Sequence, residues 1–548
     1  MVSSLCNSDL GFITKILQSR LSAMDKQLVK RRRGYDDDDD GSTDRLSQLP
    51  QPVLHHILSL LYQKDAVQTS VLSKSWRYLW HGRLNVEFRD YWFARKNEFW
   101  PSLDKTLQRY LEQNLCIQQL LLQVGTVVDL VIFQKWIPMV IENMGVRSLS
   151  LMFSYGSEAF EAYPLPLAFL QSEFLVELHL QGRNLKKIKS TDSVMLNNLR
   201  TLRLNYVDIT DEIFDKIISG CPLIEDLDLL FCSGLKSIKL RKHHIIKNFR
   251  CSVVDKQTII QFEDPHPLES ACITNCRNWF LLHKNMHFTH LKSLDLYRVL
   301  LPAETFDTFS SFFPCLSELI LHSCNGLEEF RLLSSSIKRL TIKTGLKNRI
   351  KAFIDTPNIL YFEYSSDVND FLPSIKFTTT SNEWKSHISL WYMLQSSEKD
   401  DMSRLLKLNK LLKSLSQSHI TLSLHGIMYK KLHINDSYAG FCKPIVVERV
   451  KLCGWIFPSS DPATLNCFFR IIRPRIIHMG TYVNELAEFI CNLIPKEKGS
   501  YFWQQDLEEV SIEIWDMKAK NWNCVQRTSL PQLPSKQKIR FRLTWREQ

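Results

Sequence analysis

The sequence predicts an α/β chain. A three-helix module near the N-terminus is followed by a solenoid of short parallel strands with helices on the convex side, and then by a C-terminal capping region. Three observations carry this. Leu46 to Trp80 holds apolar residues at helical spacing in three short runs. A Leu-x-x-Leu-x-Leu pattern recurs between residues 120 and 362 at intervals of 21 to 29 residues. Helical stripes such as Ile213, Phe214, Ile217 and Ile218 fall between the recurrences.

Composition sets the outer bounds. The 548 residues are 44% apolar and 23% charged, which is ordinary for a globular chain with more than one folding unit. No apolar run is long enough to span a bilayer, and the start lacks the basic and apolar regions of a secretory signal. Fourteen cysteines scattered through a long chain read as reduced core residues, which points to the nucleus and/or cytoplasm. Met24 is an alternative start, since residues 1–23 form only a weak amphipathic helix. Residues 1–43 read as a disordered tail. Lys30 to Arg33 is basic and Asp36 to Asp40 acidic, and neither block can bury a core. The basic four have the composition of a nuclear import signal.

The module at 44–90 opens at Leu49-Pro50, because proline suits a first helical turn. Val53, Leu54, Ile57, Leu58 and Leu61 make one stripe, and Ala66, Val67, Val71 and Leu72 a second. Asp65 is placed to cap the second helix, and Ser73 a third turn carrying Trp76, Leu79 and Trp80. Three helices in so short a stretch are expected to leave apolar surface uncovered, and such surface marks a partner site.

This stretch resembles an F-box. The matching positions are Leu49, Pro50, Leu54, Ile57, Leu58, Leu61, Asp65, Val67, Val71, Ser73, Lys74, Trp76, Arg77, Leu79 and Trp80. Gln51-Pro52 stands where acidic residues are common in the family, and Tyr62 where proline is usual. The resemblance implies that Leu49, Pro50, Leu54, Ile57, Leu58, Leu61, Asp65, Val67, Val71, Leu72, Trp76, Leu79 and Trp80 contact the adaptor of an SCF-type (cullin-RING) ubiquitin ligase. It also implies that other subunits perform the chemistry, so this chain is not itself an enzyme.

A helical connector is expected over 91–115, with Phe99, Leu103, Leu107 and Leu111 on one face. The solenoid is expected over 116–370. Its rungs centre on Leu120, Leu149, Leu178, Leu202, Leu227, Phe249, Ala271, Leu294, Leu319, Leu340 and Phe362. Pro222, Pro314 and Pro357 each lie five residues before a rung, where proline ends a preceding helix. Leu229 to Leu235 aligns with Leu321 to Leu327 and places Cys232 opposite Cys324. The array resembles the cysteine-containing class of leucine-rich repeats found in plant F-box proteins. Irregular repeats and a cap are expected over 371–548, with strands near Ile420, Val447, Leu507 and Ile539.

No phosphate loop, nucleophile elbow or triad spacing is present, and no cofactor or metal is expected. Cys272, Cys276, His283 and His287 have zinc-ligand types, but six residues between the pairs is too short a loop for a finger. On the rungs at 178, 202, 227, 294, 319, 340 and 362, the side chains flanking the inward leucines include Glu177, Arg203, Asp226, Asp228, Asp295, Glu318, Arg339, Lys343 and Glu363. Six acids against three bases do not suit a nucleic acid, despite the net charge of +11. The expected partner is a protein substrate, read by Asp226, Asp228, Leu230, Asp295, Tyr297, Glu318 and Ile320, with neither nucleic acid nor membrane involved.

Overall fold

In the computed structural model the recurring pattern becomes hydrogen-bonded strands. The structure describes residues 49–50, 53–54, 57–58, 61, 66, 79, 82–93, 96–125, 129–154, 167–182, 185, 193–241, 245–263, 266–276, 287–302, 304–345, 350–366, 372–379, 381, 383–393, 401–427, 443–453, 469–479, 502–517, 519–526 and 538–546. The chain divides into two compact units, 1–238 and 239–548.

In the first unit six parallel strands stack in one register, with Val86, Leu120, Leu149, Leu178, Leu202 and Leu227 side by side. Alternation puts every second residue inward, and the inward residues are buried. The first strand, Asn85–Arg89, lies in a stretch the sequence assigned to the N-terminal module. Its pairing with Gln119–Val124 starts the stack earlier. The helix Phe99–Glu112 therefore links two rungs. It buries Phe99, Leu103 and Leu107, whereas Leu111 stays at the surface. Helix Asp211–Ser219 follows its sequence signals closely. The Thr210 hydroxyl accepts from Ile213 N, Gly220 ends the helix, and Ile213, Phe214, Ile217 and Ile218 are buried.

In the second unit the register runs Phe249, Ala271, Leu294, Leu319, Leu340, Phe362, Ser386, Ile420. Ile445–Cys453 and Ile472–Met479 continue it in parallel. The stack then reverses. Ile539–Trp545 pairs antiparallel with Ile472–Met479, Leu507–Asp516 pairs with Ile539–Trp545, and Asn521–Val525 pairs with Leu507–Asp516. This antiparallel group is the cap expected from the sequence.

Opposite the main sheet, three short strands pair in parallel where helices were expected: Glu329–Leu333, Lys351–Asp355 and Ser374–Thr378. Pro357 accordingly follows a strand, not a helix, and shares with Pro222 and Pro314 a turn position just before a rung. Among the described residues no helix is long and apolar enough to cross a membrane.

Candidate interaction surfaces

The N-terminal module builds a core of its own. Leu54, Ile57, Leu58, Leu61, Ala66 and Leu79 are buried against one another, and Leu49 and Val53 pack on them partly exposed. Pro50 is exposed, and its carbonyl accepts from Val53 N at 2.9 Å and Leu54 N at 3.2 Å, closing the first turn. The expectation of surplus apolar surface is corrected at Leu54, Ile57 and Leu58, which are buried, as are Leu61 and Leu79. Their side chains are spent on the module's interior, because a unit this small must bury them to hold together. Leu49, Pro50 and Val53 are what remains open among the described residues. Asp65, Val67, Val71, Leu72, Trp76 and Trp80 lie outside the described residues, as do the two charge blocks of the tail.

Arg83, which no sequence pattern singles out, ties this module to the first repeat. Its buried guanidinium donates Nη2 to Leu61 O at 2.8 Å, and the Tyr110 hydroxyl donates to Arg83 O at 2.8 Å. Burial holds Arg83 below its ordinary value and pushes Tyr110 up to about 12.

The second surface is the open face of each stack. The acids and bases named there from the sequence alternate with buried inward residues along their strands, and register between strands sets their electrostatics. In the first unit Arg203 lies beside Asp228 on the next strand and their charges meet at 3.5 Å. Asp226 accepts from the Thr201 hydroxyl at 3.2 Å. In the second unit Arg339 reaches Glu318 at 3.5 Å and Lys343 reaches Glu363 at 3.8 Å. Asp295 is approached by the Cys272 thiol at 3.8 Å, and burial raises its pKa. Every base in the six-to-three census is thus matched with an acid on a neighbouring rung. A count of charges along the chain misses this, because strand neighbours are about 4.8 Å apart in space and more than 20 residues apart in sequence.

The aromatic members of this face fall into two groups. Tyr297 packs edge-on against His322 at 4.5 Å in the second unit. In the first unit Tyr206 and Phe231 stack at 5.0 Å, 43% and 42% exposed. Leu230 and Ile320 are half-buried. Tyr206 and Phe231 were missed because they sit one residue past the rung, where no period applies. Their positive φ angles of 52° and 56° turn both rings outward together.

Among the described residues, the cysteine and histidine set does not converge on a common point. Cys276 is buried and donates to Thr258 O at 3.6 Å, while His287 Nδ1 meets Ser311 O at 2.9 Å. His283 lies outside the described residues.

Comparison with known proteins places both parts. The F-box domain model matches residues 46–86. A model described as FBD-associated F-box protein At5g56370, LRR repeats, matches residues 133–275. F-box/LRR-repeat protein 25 of Arabidopsis thaliana is 31% identical over 208 residues, which are 37% of this chain and 73% of that protein. F-box/LRR-repeat protein At3g59200 of the same plant is 34% identical over 218 residues, 36% of this chain and 40% of that protein. Putative F-box/LRR-repeat protein At3g18150 of that plant is 28% identical over 228 residues, 41% of this chain and 46% of that protein. The chain therefore spans less than half the length of the latter two relatives.

Proposed function

This chain belongs to the F-box/leucine-rich-repeat family, and from that premise we propose that it is the substrate-recognition subunit of an SCF-type ubiquitin ligase. The F-box holds the adaptor, and through it a cullin. The open faces of the repeats hold a protein substrate. The chain contributes no catalytic group. Its effect on ubiquitin transfer is proximity, since fixing the substrate near the transferring subunits makes a bimolecular step effectively unimolecular. The nucleus and/or cytoplasm is the proposed compartment.

The observation that carries this reading is the physical union of the two parts. An apolar cluster within the stretch that matches the F-box is tied through Arg83 and Tyr110 to a parallel stack whose outward side chains are polar, aromatic and aliphatic. Asp226, Asp228 and Leu230 in the first unit, and Asp295, Tyr297, Glu318 and Ile320 in the second, are the proposed substrate contacts. Paired charges there orient a partner, and half-buried apolar groups hold it.

The test uses the residues left open. Leu49 is only partly buried at the core's edge and Pro50 is exposed, so Leu49→Ala with Pro50→Ala trims the module's surface, whereas Leu54→Ala or Leu58→Ala would open a cavity inside it. The double variant is expected to lose adaptor in co-purification, with a loss on the order of 2 kcal/mol or more for an interface anchor. The thermal transition of the repeats should not move. Adaptor retained at the wild-type level would sink the adaptor assignment, leaving an interaction protein without a ligase role.

A further inference from the structure

The second unit carries a surface whose charge is opposite to the one read from the early rungs. On strands Lys385–Met393, His419–Ile427, Ile445–Cys453 and Ile472–Met479, the outward positions line up in register rows. Lys385 stands beside His419, Thr421 beside Arg449, and Ser423 beside Lys451, which in turn stands beside His478. Of these, Lys385, His419, Thr421, Arg449 and Lys451 line a groove of about 500 Å³, with Glu448 and Arg475. Arg475 at its rim is matched with Glu448 at 3.3 Å. Among the described residues, no ion pair holds Lys385, Arg449 or Lys451. Arg449 Nε and His478 Nε2 are shielded from solvent without a hydrogen-bond partner, so two polar atoms at this surface are already desolvated and unspent. Burial, and after it the Lys451 charge, hold His425 below the ordinary imidazole value. The same two influences act on His387 and His478, joined there by other charges. Further along the same strand Trp391 is 48% exposed and stacked on His425 at 4.4 Å.

We propose that this groove takes an extended acidic segment of a protein partner, its carboxylates on Arg449 and Lys451 and an apolar side chain past the groove's end on Trp391, whose row with His425 and Cys453 lies two residues beyond Lys451. Arg449 and Lys451 are two residues apart on one strand, a spacing of about 6.6 Å. An extended peptide lying alongside presents its i and i+2 side chains at the same spacing, so two carboxylates meet two cations without strain. Glu448 and Glu363 are already paired with Arg475 and Lys343, so they do not oppose the segment's carboxylates. A nucleic acid fits less well, since three unmatched cations fall short of the roughly 6–10 phosphate contacts of such a complex. The inference rests on the receptor reading, since it names part of what the repeats capture.

The experiment uses the full chain co-expressed with its adaptor. The probe is a labelled peptide of alternating glutamate and leucine with one phenylalanine, alongside its glutamine counterpart and a uridine-rich RNA of equal length. The glutamate peptide is expected to bind, to weaken as salt rises, and to lose about tenfold or more in affinity when Arg449→Gln and Lys451→Gln are combined. Trp391→Ala is expected to weaken the peptide without changing its salt dependence. An unshifted thermal midpoint in the double variant shows that the fold is intact. The proposal is overturned if the glutamine peptide binds equally well, if the double variant binds like the wild type, or if the RNA displaces the peptide at lower concentration. Adaptor co-purification is scored separately. Its loss with peptide binding intact overturns the receptor reading and leaves the groove standing.

Discussion

At the scale of single residues, position on a rung decides what a side chain contributes. Leu202 points inward and is buried, while Arg203 beside it faces out and spans to Asp228. Leu202→Ala is expected to cost about 2–5 kcal/mol, through lost burial and the cavity left behind. Arg203→Ala should cost less than about 1 kcal/mol, because an exposed ion pair gains little over water. Chemical denaturation of the two variants checks the register, and equal losses would contradict it. His478 makes a second case. Burial first, then Arg449, Arg540 and Lys451, push its pKa down to about 4, although Glu513 opposes them, and its ring lies against Trp522. An unfolded histidine titrates near 6.5, so between about 6.5 and 4 the unfolded chain binds more protons than the folded one. Stability from this group is therefore fully present above about 6.5 and is lost as pH falls toward 4. The difference in thermal midpoint between pH 7 and pH 5 should shrink in His478→Gln, and an unchanged difference would show that the imidazole is not neutral in the fold.

Elements show where the sequence was legible and where it was not. The residue after the rung adopts a left-handed conformation at Gly182, Tyr206, Phe231, Asn275, Arg298 and Ser323, with φ between 51° and 70°. At Tyr206, Asn275, Arg298 and Ser323 the N–H still donates to the next strand, so ladder hydrogen bonding repays the unfavourable backbone. Only Gly182 announces this position in the sequence. The turn that follows was readable. Cys232 and Cys324 are buried, and their thiols donate to Leu204 O and Leu296 O at 3.2 Å, closing each repeat on the one before. Gly326 is required there, since at φ +86° an added Cβ would lie 2.1 Å from Leu301 O. The early rungs were readable because leucine fills both inward positions. The strand Lys385–Met393 was not. Its first inward residue is Ser386, buried and hydrogen-bonded to the Ser418 hydroxyl at 2.6 Å, so a polar residue stands where the pattern demands an apolar one. The strands opposite the main sheet were hidden for another reason. Phe330, Leu332, Ala352 and Ile354 alternate at period two over only five residues per strand, too short to stand out between rungs.

For the molecule as a whole, charge arrangement governs recognition more than net charge does. The +11 total neither identifies a nucleic-acid binder nor describes any one face. In the first unit the acids at Asp226 and Asp228 are held by Thr201 and Arg203. A partner approaching there meets a polar surface of nearly balanced charge bordered by Leu230 and the Tyr206–Phe231 stack. Apolar and aromatic contacts should then supply most of the affinity, and the carboxylates should select orientation. Asp226→Lys with Asp228→Lys tests that division. The change places two lysines beside Arg203 and turns a balanced patch strongly positive. Partners that present a basic or amphipathic segment to this face should be lost, while adaptor binding, which depends on the N-terminal module, stays at the wild-type level. The salt dependence of the wild-type interaction should be shallow, because most of its charges are already paired within the fold. Quantitative comparison of captured partners between wild type and the reversal, at low and high salt, reads both effects. If the partners are unchanged, the first unit's open face does not select them, and selection must be sought among the aromatic residues or in the second unit.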